Sequence, residues 1–367
     1  MTNKDSDKEI ATHISSKRVL VITSDVPFVE GGHRVIARAL CNALKKAGHQ
    51  SEVWTTPQNR FGHQFKAYLA TWLTDVSESG DGQPVDHVIS LRFPSYAIRH
   101  NRHSCWLNHR MREYYDLWNS YSKNLCKRQL IKESIRRKLI FKADNFLLRP
   151  KRVRLFAQSK NIQARLSRFG GHSSELLYPP PPERNYRLGP FPKIILSVGR
   201  LHSMKRPELL IKSFSLMDTS WNLIVVGRGH EAAPLKELAN SLGVADRINW
   251  KHQTNDDELC DLYANCRVVF YGPVDEDFGM VPIEAYASGK PVITCKDSGG
   301  AKEWVEEGVC GSIVESNPES IAKTLKLYAN EDVARKFGDV GLARVSKVTW
   351  NNIIKKLLWD DGYQRPL

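Results

Sequence analysis

Residues 275–292 read DEDFGMVPIEAYASGKPV. An apolar run at residues 267–271 predicts a strand before it, while Pro282 and Gly289 predict the first turn and the end of a helix. An acidic loop is therefore expected beside a helix N-terminus, after the carboxyl end of a strand. Unpaired N–H groups at a helix N-terminus attract anions, and carboxylates accept hydrogen bonds from sugar hydroxyls. The stretch predicts a site for an anionic or polyhydroxylated ligand.

Two glutamates in this stretch, Glu276 in the loop and Glu284 in the helix, are separated by seven residues. The spacing alone is weak evidence, because about one such pair is expected by chance in a chain of this length and Glu content. The predicted helix start adds backbone N–H donors at Gly279, Met280 and Val281. Carboxylates and donors in one small volume favour a ligand site over an ordinary turn.

The stretch E-D-F-G-M-V-P-I-E-A-Y-A-S-G-K-P-V, residues 276–292, resembles the Glu-x7-Glu signature of the retaining glycosyltransferases of family 4. That family has the GT-B fold, in which two Rossmann-like α/β domains face each other across a cleft and a C-terminal helix returns to the N-terminal domain. The resemblance covers most of the chain and is strongest in its C-terminal half. It implies that Glu276 contacts the transferred sugar, that Glu284 binds the ribose, and that Phe278 lies in the same donor site.

The length of 367 residues predicts two domains, each with its own core. Residues 178–183, YPPPPE, form a stiff extended segment that cannot be helical, and the linker is placed there. We expect a flexible tail at residues 1–16, an acceptor-binding domain at residues 17–182 and a donor-binding domain at residues 183–349. By the resemblance, a last helix within residues 350–367 returns to the first domain.

Composition narrows the class of protein. An apolar fraction of 41% fits a globular chain, and no apolar run is long enough to span a membrane. The first sixteen residues lack the apolar core of a secretory signal. The seven cysteines have no zinc-type spacing, which predicts reduced thiols and no metal site. We expect a cytoplasmic protein without a bound cofactor.

The net charge of +14 is concentrated in one segment. Residues 92–160 hold eighteen Lys or Arg against four Asp or Glu, which accounts for the whole excess. This balance predicts an anionic partner for the first domain. Residues 123–142 predict a basic amphipathic helix with two interpretations. In one, its apolar positions pack on the sheet and its cations are solvated; in the other, it docks on an anionic membrane surface.

The first domain offers two groups of candidate residues. Strand, Gly31-Gly32 and helix form the opening of a nucleotide-binding α/β unit, in which glycines let the backbone approach a ligand. By resemblance, this loop approaches the donor's diphosphate. His109 follows a predicted strand at the edge where such sheets place ligands. The family's histidine near the donor sugar is assigned to His109, with His100 and His103 as weaker alternatives.

The second domain carries the cations expected to hold a diphosphate. Gly199-Arg200 ends its first predicted strand, and Lys205 stands just before a helix. A guanidinium fork and a point charge at this place suit a diphosphate without a metal ion. By resemblance, the turn at Gly227 and the segment 251–254 flank the nucleobase. The sequence does not decide which base is bound.

These observations favour a retaining, metal-independent glycosyltransferase. We expect it to move a sugar from a GDP- or UDP-sugar, with GDP-mannose among the candidates, to a glycan or lipid-linked acceptor in cell-surface polysaccharide or lipopolysaccharide biosynthesis. A sugar-nucleotide epimerase or a phosphorylase of the same fold is an alternative, since fold does not fix reaction. A nucleic-acid-binding protein is a remote alternative, because the basic charge has no nucleic-acid module beside it, and no nucleic-acid partner is expected.

Overall fold

The computed structural model describes residues 16–25, 31–57, 62–252 and 254–359. These residues form two six-stranded sheets in which every pairing of neighbouring strands is parallel. Strands alternate with helices along the chain, and parallel strands need such crossovers. The predicted two-domain α/β fold is confirmed. The predicted tail falls almost wholly on residues 1–15, outside the described residues.

The first domain is built on a sheet with strand order β2-β1-β3-β4-β5-β6. Its strands are β1 (Arg18–Asp25), β2 (Gln50–Pro57), β3 (His87–Ser90), β4 (His103–Leu107), β5 (Arg154–Ala157) and β6 (Glu175–Leu176). Its helices are α1 (Gly32–Lys46), α2 (Gln64–Leu73), α3 (Trp118–Ser122), α4 (Lys127–Leu147) and α5 (Lys160–Gly170).

The second domain is built on a sheet with strand order β12-β11-β10-β7-β8-β9. Its strands are β7 (Ile194–Val198), β8 (Asn222–Val226), β9 (Ile248–Lys251), β10 (Val268–Phe270), β11 (Val292–Cys295) and β12 (Gly311–Val314). Its helices are α6 (Pro207–Phe214), α7 (Ala232–Ser241), α8 (Asp256–Ala264), α9 (Val281–Ala287), α10 (Pro318–Leu327) and α11 (Glu331–Val345). The linker boundary at residue 182 stays a prediction, and the chain from Leu177 to Lys193 joins the two sheets.

A last helix, α12 (Trp350–Leu357), crosses back to the first domain. Its apolar face packs into the core around α1, and its Trp350 meets Trp106 edge to face with ring centroids 6.3 Å apart. Ser104 Oγ donates a hydrogen bond of 2.6 Å to Leu357 O. The predicted return of this helix is confirmed, while residues 360–367 of the predicted segment lie outside the described residues.

The basic segment differs from its sequence-based description. The expected helix over residues 123–142 begins later and ends later than predicted, as α4 (Lys127–Leu147), and the short α3 ends at Ser122 before it. Four of its apolar side chains are exposed: Leu130, Ile131, Ile135 and Leu139. The interpretation in which these positions pack on the sheet is therefore wrong. Instead α4 buries Glu133, Ile140, Asp144 and Leu147. Among the described residues, no helix has the length and apolar character needed to cross a membrane.

Candidate functional site

A cleft between the two domains contains a cavity of about 640 Å³. Residues from both domains line it, and nearly every predicted site residue is among them. The predicted residues that line the cavity are Gly31, Gly32, His109, Gly199, Arg200, Lys205, Glu276, Phe278, Gly279, Met280, Val281 and Glu284. The structure therefore brings together residues that are separated by up to 253 positions in the sequence, from Gly31 to Glu284.

These residues converge because parallel strands of each sheet end at the cleft. Gly199 follows β7, the acidic loop follows β10, and His109 lies two residues after β4. Residues after the carboxyl ends of parallel strands meet at one edge of a sheet, where open α/β sheets bind ligands. The two sheets turn these edges towards each other, so one ligand can contact both.

Gly227 is the predicted residue that does not line the cavity; it lies directly behind the strand end that does. Its φ is 151°, and a Cβ at this position would stand 1.8 Å from Gly199 O. Only glycine fits such a close backbone approach. Gly227 therefore supports the Gly199 turn, and its predicted contact with a nucleobase stays a prediction. Part of the other predicted base segment, Gln253, lies outside the described residues.

Lys205 is the centre of a charged group on the second domain. Its Nζ donates to Glu276 Oε2 at 2.6 Å and to the Tyr271 hydroxyl at 2.9 Å. Burial alone would lower the pKa of Lys205, but Tyr271 and Glu276 raise it above its usual value. The ammonium therefore stays protonated through the neutral and moderately alkaline range. A diphosphate bound here would therefore contact a lysine that is already protonated.

The acidic loop that carries Glu276 is held from the first domain. Asp275 adopts a left-handed conformation with φ of 43°, which is strained for a residue with a Cβ. Arg165 of α5 donates to Asp275 O at 3.0 Å and pairs with Asp275 Oδ2 at 2.8 Å and with Asp277. Arg112 adds a second guanidinium, 3.1 Å from Asp275 Oδ2. These contacts tie the loop to the opposite domain.

The N-terminus of α5 strengthens this tie. Glu303 of the second domain accepts hydrogen bonds of 2.8 Å from the backbone N–H groups of Lys160 and Asn161. A carboxylate at a helix N-terminus is stabilised by the helix dipole. The side chain of Asn161 also donates to Glu276 O at 2.8 Å. Sequence reasoning missed these residues, because a contact between domains leaves no local periodic signal.

Glu284 lies at the inner wall of the cavity and is only 4% exposed. Its Oε1 accepts from Arg184 Nη1 at 2.5 Å, and its Oε2 accepts from the Tyr263 hydroxyl at 2.8 Å. Each carboxylate oxygen has two lone pairs, so one acceptor position per oxygen remains for a ligand hydroxyl. Arg184 was missed from the sequence, although a cation immediately after the proline-rich linker was a usable signal.

The first-domain wall of the cleft carries two neutral histidines. His109 Nδ1 donates to Arg110 O at 2.6 Å, which leaves Nε2 as an acceptor. Burial, with a smaller contribution from the charge of Arg92, lowers the pKa of His109 to about 3. His33 has its pKa lowered to about 3 by the same two causes, and its Nδ1 accepts from Arg92 Nη1 at 2.9 Å. Both rings are uncharged at neutral pH.

The two alternative histidines lie elsewhere. His100 is bound to the backbone oxygens of Arg102 and Val85, each at 2.9 Å, and His103 Nε2 is 2.7 Å from Ser90 Oγ. Neither lines the cavity. His33 and Arg92 do line it but were not predicted. His33 directly follows the glycine pair, and Arg92 lies two residues after β3, so the strand-end rule that selected His109 also applies to Arg92.

Comparison with known proteins finds sequence similarity for the second domain. Residues 184–341 match the family model described as glycosyl transferases group 1. A D-inositol 3-phosphate glycosyltransferase of Mycolicibacterium gilvum is 30% identical over 185 residues, which are 49% of this chain and 41% of that protein. The chain thus spans well under half the length of this curated relative.

Solved structures extend the similarity to the whole fold. Anabaena HepE in complex with UDP and glucose is 18% identical, with a TM-score of 0.67 over 93% of this chain and 98% of that chain. WaaG, a glycosyltransferase involved in lipopolysaccharide biosynthesis, is 16% identical, with a TM-score of 0.62 over 92% and 98% of the two chains. At this identity the likeness shows the fold alone.

Proposed function

We propose that this chain, whose residues 184–341 match the model of the glycosyl transferases group 1 family, is a retaining glycosyltransferase that uses a nucleotide-diphosphate sugar as its donor. One observation carries the proposal. The cleft places the cations Arg200 and Lys205 and the carboxylate of Glu276 opposite the glycine pair and neutral His109 of the other domain. A donor with a diphosphate and a sugar has matching anionic and hydroxyl-bearing parts.

The diphosphate is assigned to Arg200 and Lys205. The Arg200 side chain is exposed at the cleft, and Lys205 is already protonated beside Glu276. Two cations stabilise the negative charge that grows on the departing nucleoside diphosphate. Because side chains supply this charge, we propose that turnover is independent of a metal ion and of any other cofactor.

The sugar and the ribose are assigned to the two glutamates. Glu276 accepts hydrogen bonds from hydroxyls of the transferred sugar and stabilises positive charge at its anomeric carbon, and Glu284 accepts from the ribose through its remaining lone pairs. His109 offers Nε2 to the sugar from the opposite domain. Closure of the cleft excludes water and so limits hydrolysis of the donor. Transfer then proceeds with retained anomeric configuration.

The acceptor is proposed to be a glycan or lipid-linked molecule in cell-surface polysaccharide or lipopolysaccharide biosynthesis, reached at the cytoplasmic face of a membrane. The name of WaaG supports this pathway only by analogy of fold. The donor is proposed to be a UDP- or GDP-sugar. The complex of HepE with UDP supports the nucleotide class in the same limited way.

A surface of the first domain supports the membrane part of this proposal. Helix α2 exposes three apolar residues at helical spacing, Phe65, Leu69 and Leu73, and α4 exposes Ile131 and four others. The helices touch where the rings of Trp72 and Phe146 lie 5.9 Å apart. We call the exposed faces of α2 and α4 the two-helix face.

The charge of the two-helix face selects an anionic bilayer as its occupant. The exposed charged residues of the two helices are all cationic: Lys66, Lys127, Arg128, Lys132, Lys138 and Lys142. The acidic residues of α4, Glu133 and Asp144, are buried, and α2 has none. Apolar side chains interspersed with cations insert into the headgroup region while the cations meet lipid phosphates.

The donor site is tested by thermal unfolding with UDP, GDP, ADP and their sugar conjugates, each with and without EDTA. A ligand that binds only the folded state at 100 times its Kd adds about 2.7 kcal/mol of stability. We expect a chelator-insensitive shift with a uridine or guanosine nucleotide, and sugar transfer from the matching conjugate. A response that requires a divalent ion contradicts the metal-independent mechanism, and no response to any nucleotide contradicts the donor site.

A further inference from the structure

A second cavity of about 320 Å³ opens beside the donor cleft. It shares six lining residues with the donor cavity, and most of its remaining lining comes from the first domain. The shared residues are Arg92, His109, Arg200, Lys205, Glu276 and Asp277. A molecule in this cavity would lie next to the sugar that Glu276 is proposed to hold. Its position suits the acceptor of the transfer reaction.

Arg92, at the junction of the two cavities, is a buried cation that has no carboxylate partner among the described residues. The residue is 9% exposed, and no carboxylate in the part of the chain that the structure describes lies within ion-pair distance of it. Its Nη1 donates to neutral His33, and its Nε has no hydrogen-bond partner in residues 16–25, 31–57, 62–252 and 254–359. Burial lowers its pKa only to about 10, so it remains charged at neutral pH.

The described acidic groups near Arg92, Asp277 and Glu113, do not form an ion pair with it. Asp277 acts on Arg92 through space, but it is engaged by Arg112 and Arg165. Glu113 lines the same cavity and also acts on Arg92 only beyond ion-pair distance. A buried charge without close neutralisation is costly unless a ligand supplies the opposite charge.

Arg110 adds a second guanidinium to this wall of the cavity. It is 5% exposed, its Nη1 has no hydrogen-bond partner within the part of the chain that the structure describes, and its guanidinium stacks 3.9 Å from the Tyr115 ring centroid. The carboxylate of Asp144, which feels its charge, already accepts hydrogen bonds from three tyrosine hydroxyls. Two buried guanidiniums therefore line one cavity with unused hydrogen-bonding capacity.

We propose that the acceptor carries an anionic group, a phosphate ester or a carboxylate, that pairs with Arg92 in this cavity. The planar fork of a guanidinium matches both groups with two parallel hydrogen bonds. Arg110 contributes positive potential behind the bound anion. The inference rests on the proposed function, since the donor diphosphate is assigned to Arg200 and Lys205 and leaves Arg92 to the second substrate.

The test measures thermal stability of the full chain with the donor site saturated by the nucleoside diphosphate that binds it. Glucose 6-phosphate, glucuronate and glucose are then titrated. We expect the phosphate or the carboxylate to stabilise the protein and the neutral sugar to do nothing, and the stabilising group names the anion. Arg92→Gln is expected to lower the affinity for that anion at least tenfold, while Lys323→Gln, at an exposed position, leaves the affinity unchanged. Arg92→Lys keeps the charge needed for folding but loses the fork, and binding falls as well.

Two results overturn the proposal. One is an unchanged affinity for the anion in both Arg92 variants. The stabilisation would then be explained by non-specific binding of anions to a basic protein. The other is loss of the nucleoside-diphosphate response in Arg92→Gln with anion binding intact, which assigns Arg92 to the donor. Absence of any nucleotide response in the unmodified protein counts instead against the proposed donor site, and titration of the three sugars without nucleotide then decides the second cavity separately.

Discussion

Lys205 Nζ lies 2.6 Å from Glu276 Oε2, so the cation assigned to the diphosphate and the carboxylate assigned to the sugar form one ion pair. Lys205 also donates to Tyr271, which fixes the ammonium at the end of the pair. A donor whose diphosphate and sugar meet at this place binds across both charges. The two residues therefore act as a unit, and their effects on turnover are coupled.

Loss of the Lys205 charge is expected to slow turnover. Lys205→Ala is expected to lower kcat/KM, with a loss of about 2–4 kcal/mol of transition-state stabilisation. The reason is that the negative charge on the leaving group is no longer neutralised. Arg200→Ala falls in the same range, and Lys323→Ala, on the exposed face of α10, keeps the original rate. Initial rates with the nucleotide sugar found by thermal shift measure the effect. Unchanged rates in Lys205→Ala remove it from the site.

The coupling itself is measured with a double-mutant cycle. Lys205→Ala leaves the Glu276 carboxylate without its partner, so the double variant Lys205→Ala/Glu276→Gln is expected to lose less than the sum of the two single losses. The coupling should be at least about 0.5 kcal/mol for residues in contact. Strict additivity of the kcat/KM losses contradicts the view that the pair acts as a unit.

Arg165 is expected to position Glu276 from the opposite domain. Arg165→Ala removes the contacts that hold Asp275 at its left-handed φ, and kcat is expected to fall at least tenfold, or about 1.4 kcal/mol, while nucleotide binding alone changes little. Arg165→Lys restores part of the rate. Arg168→Ala on the same helix is the matched control, since Arg168 stacks on Phe169 at 5.0 Å instead. A loss confined to nucleotide affinity, with kcat intact, contradicts the positioning role.

Acid sensitivity is expected from His33. Its folded-state pKa of about 3 lies below the ordinary value of 6.5, so the unfolded chain binds more protons between these values. Stability is therefore full above about pH 6.5 and falls as the pH drops towards 3. His33→Asn, which cannot titrate, is expected to flatten part of this fall. Unfolding midpoints at pH 7.5, 6 and 5 test it, and parallel curves for the two proteins contradict the prediction.

The two-helix face is expected to bind anionic vesicles. The triple variant Ile131→Gln/Ile135→Gln/Leu139→Gln removes exposed apolar area that membrane binding would bury. It is expected to lower the partition coefficient at least tenfold, about 1.4 kcal/mol. Leu69→Gln/Leu73→Gln is expected to act in the same direction. Leu327→Gln changes an equally exposed leucine of the second domain and should have no effect. Co-sedimentation with vesicles of anionic and of neutral lipid measures binding.

The charged arm of this experiment uses positions that the structure selects. Neutralising Arg136 or Arg137 would disturb the fold, because Arg136 pairs with Glu133 and Arg137 donates to Tyr114 O at 2.7 Å. Lys132, Lys138 and Lys142 are exposed instead, and each is worth about 1 kcal/mol near an anionic surface. Their triple change to Gln should weaken binding most at low salt. Vesicle binding that survives all three sets of changes contradicts the membrane assignment.

Sequence reasoning succeeded where a local pattern reports a local structure. Strand ends predicted that Gly199 would lie at the ligand-binding edge of the second sheet and His109 at that of the first. It failed where a residue's role depends on the opposite domain. Arg165 looks like any cation of a surface helix until α5 is placed against the acidic loop. The apolar periodicity of α4 likewise suggested a buried stripe, whereas its Glu133 and Asp144 face inward because tyrosine hydroxyls bind them.

The return of α12 has a mechanical consequence. The polypeptide passes from the first domain to the second before β7 and passes back after α11. Two segments of the chain therefore connect the two domains. A single connection would allow the two domains to rotate about several axes relative to each other. Two connections favour rotation about one axis. Deleting residues 350–359 would remove the second connection and also open the core beneath Trp106.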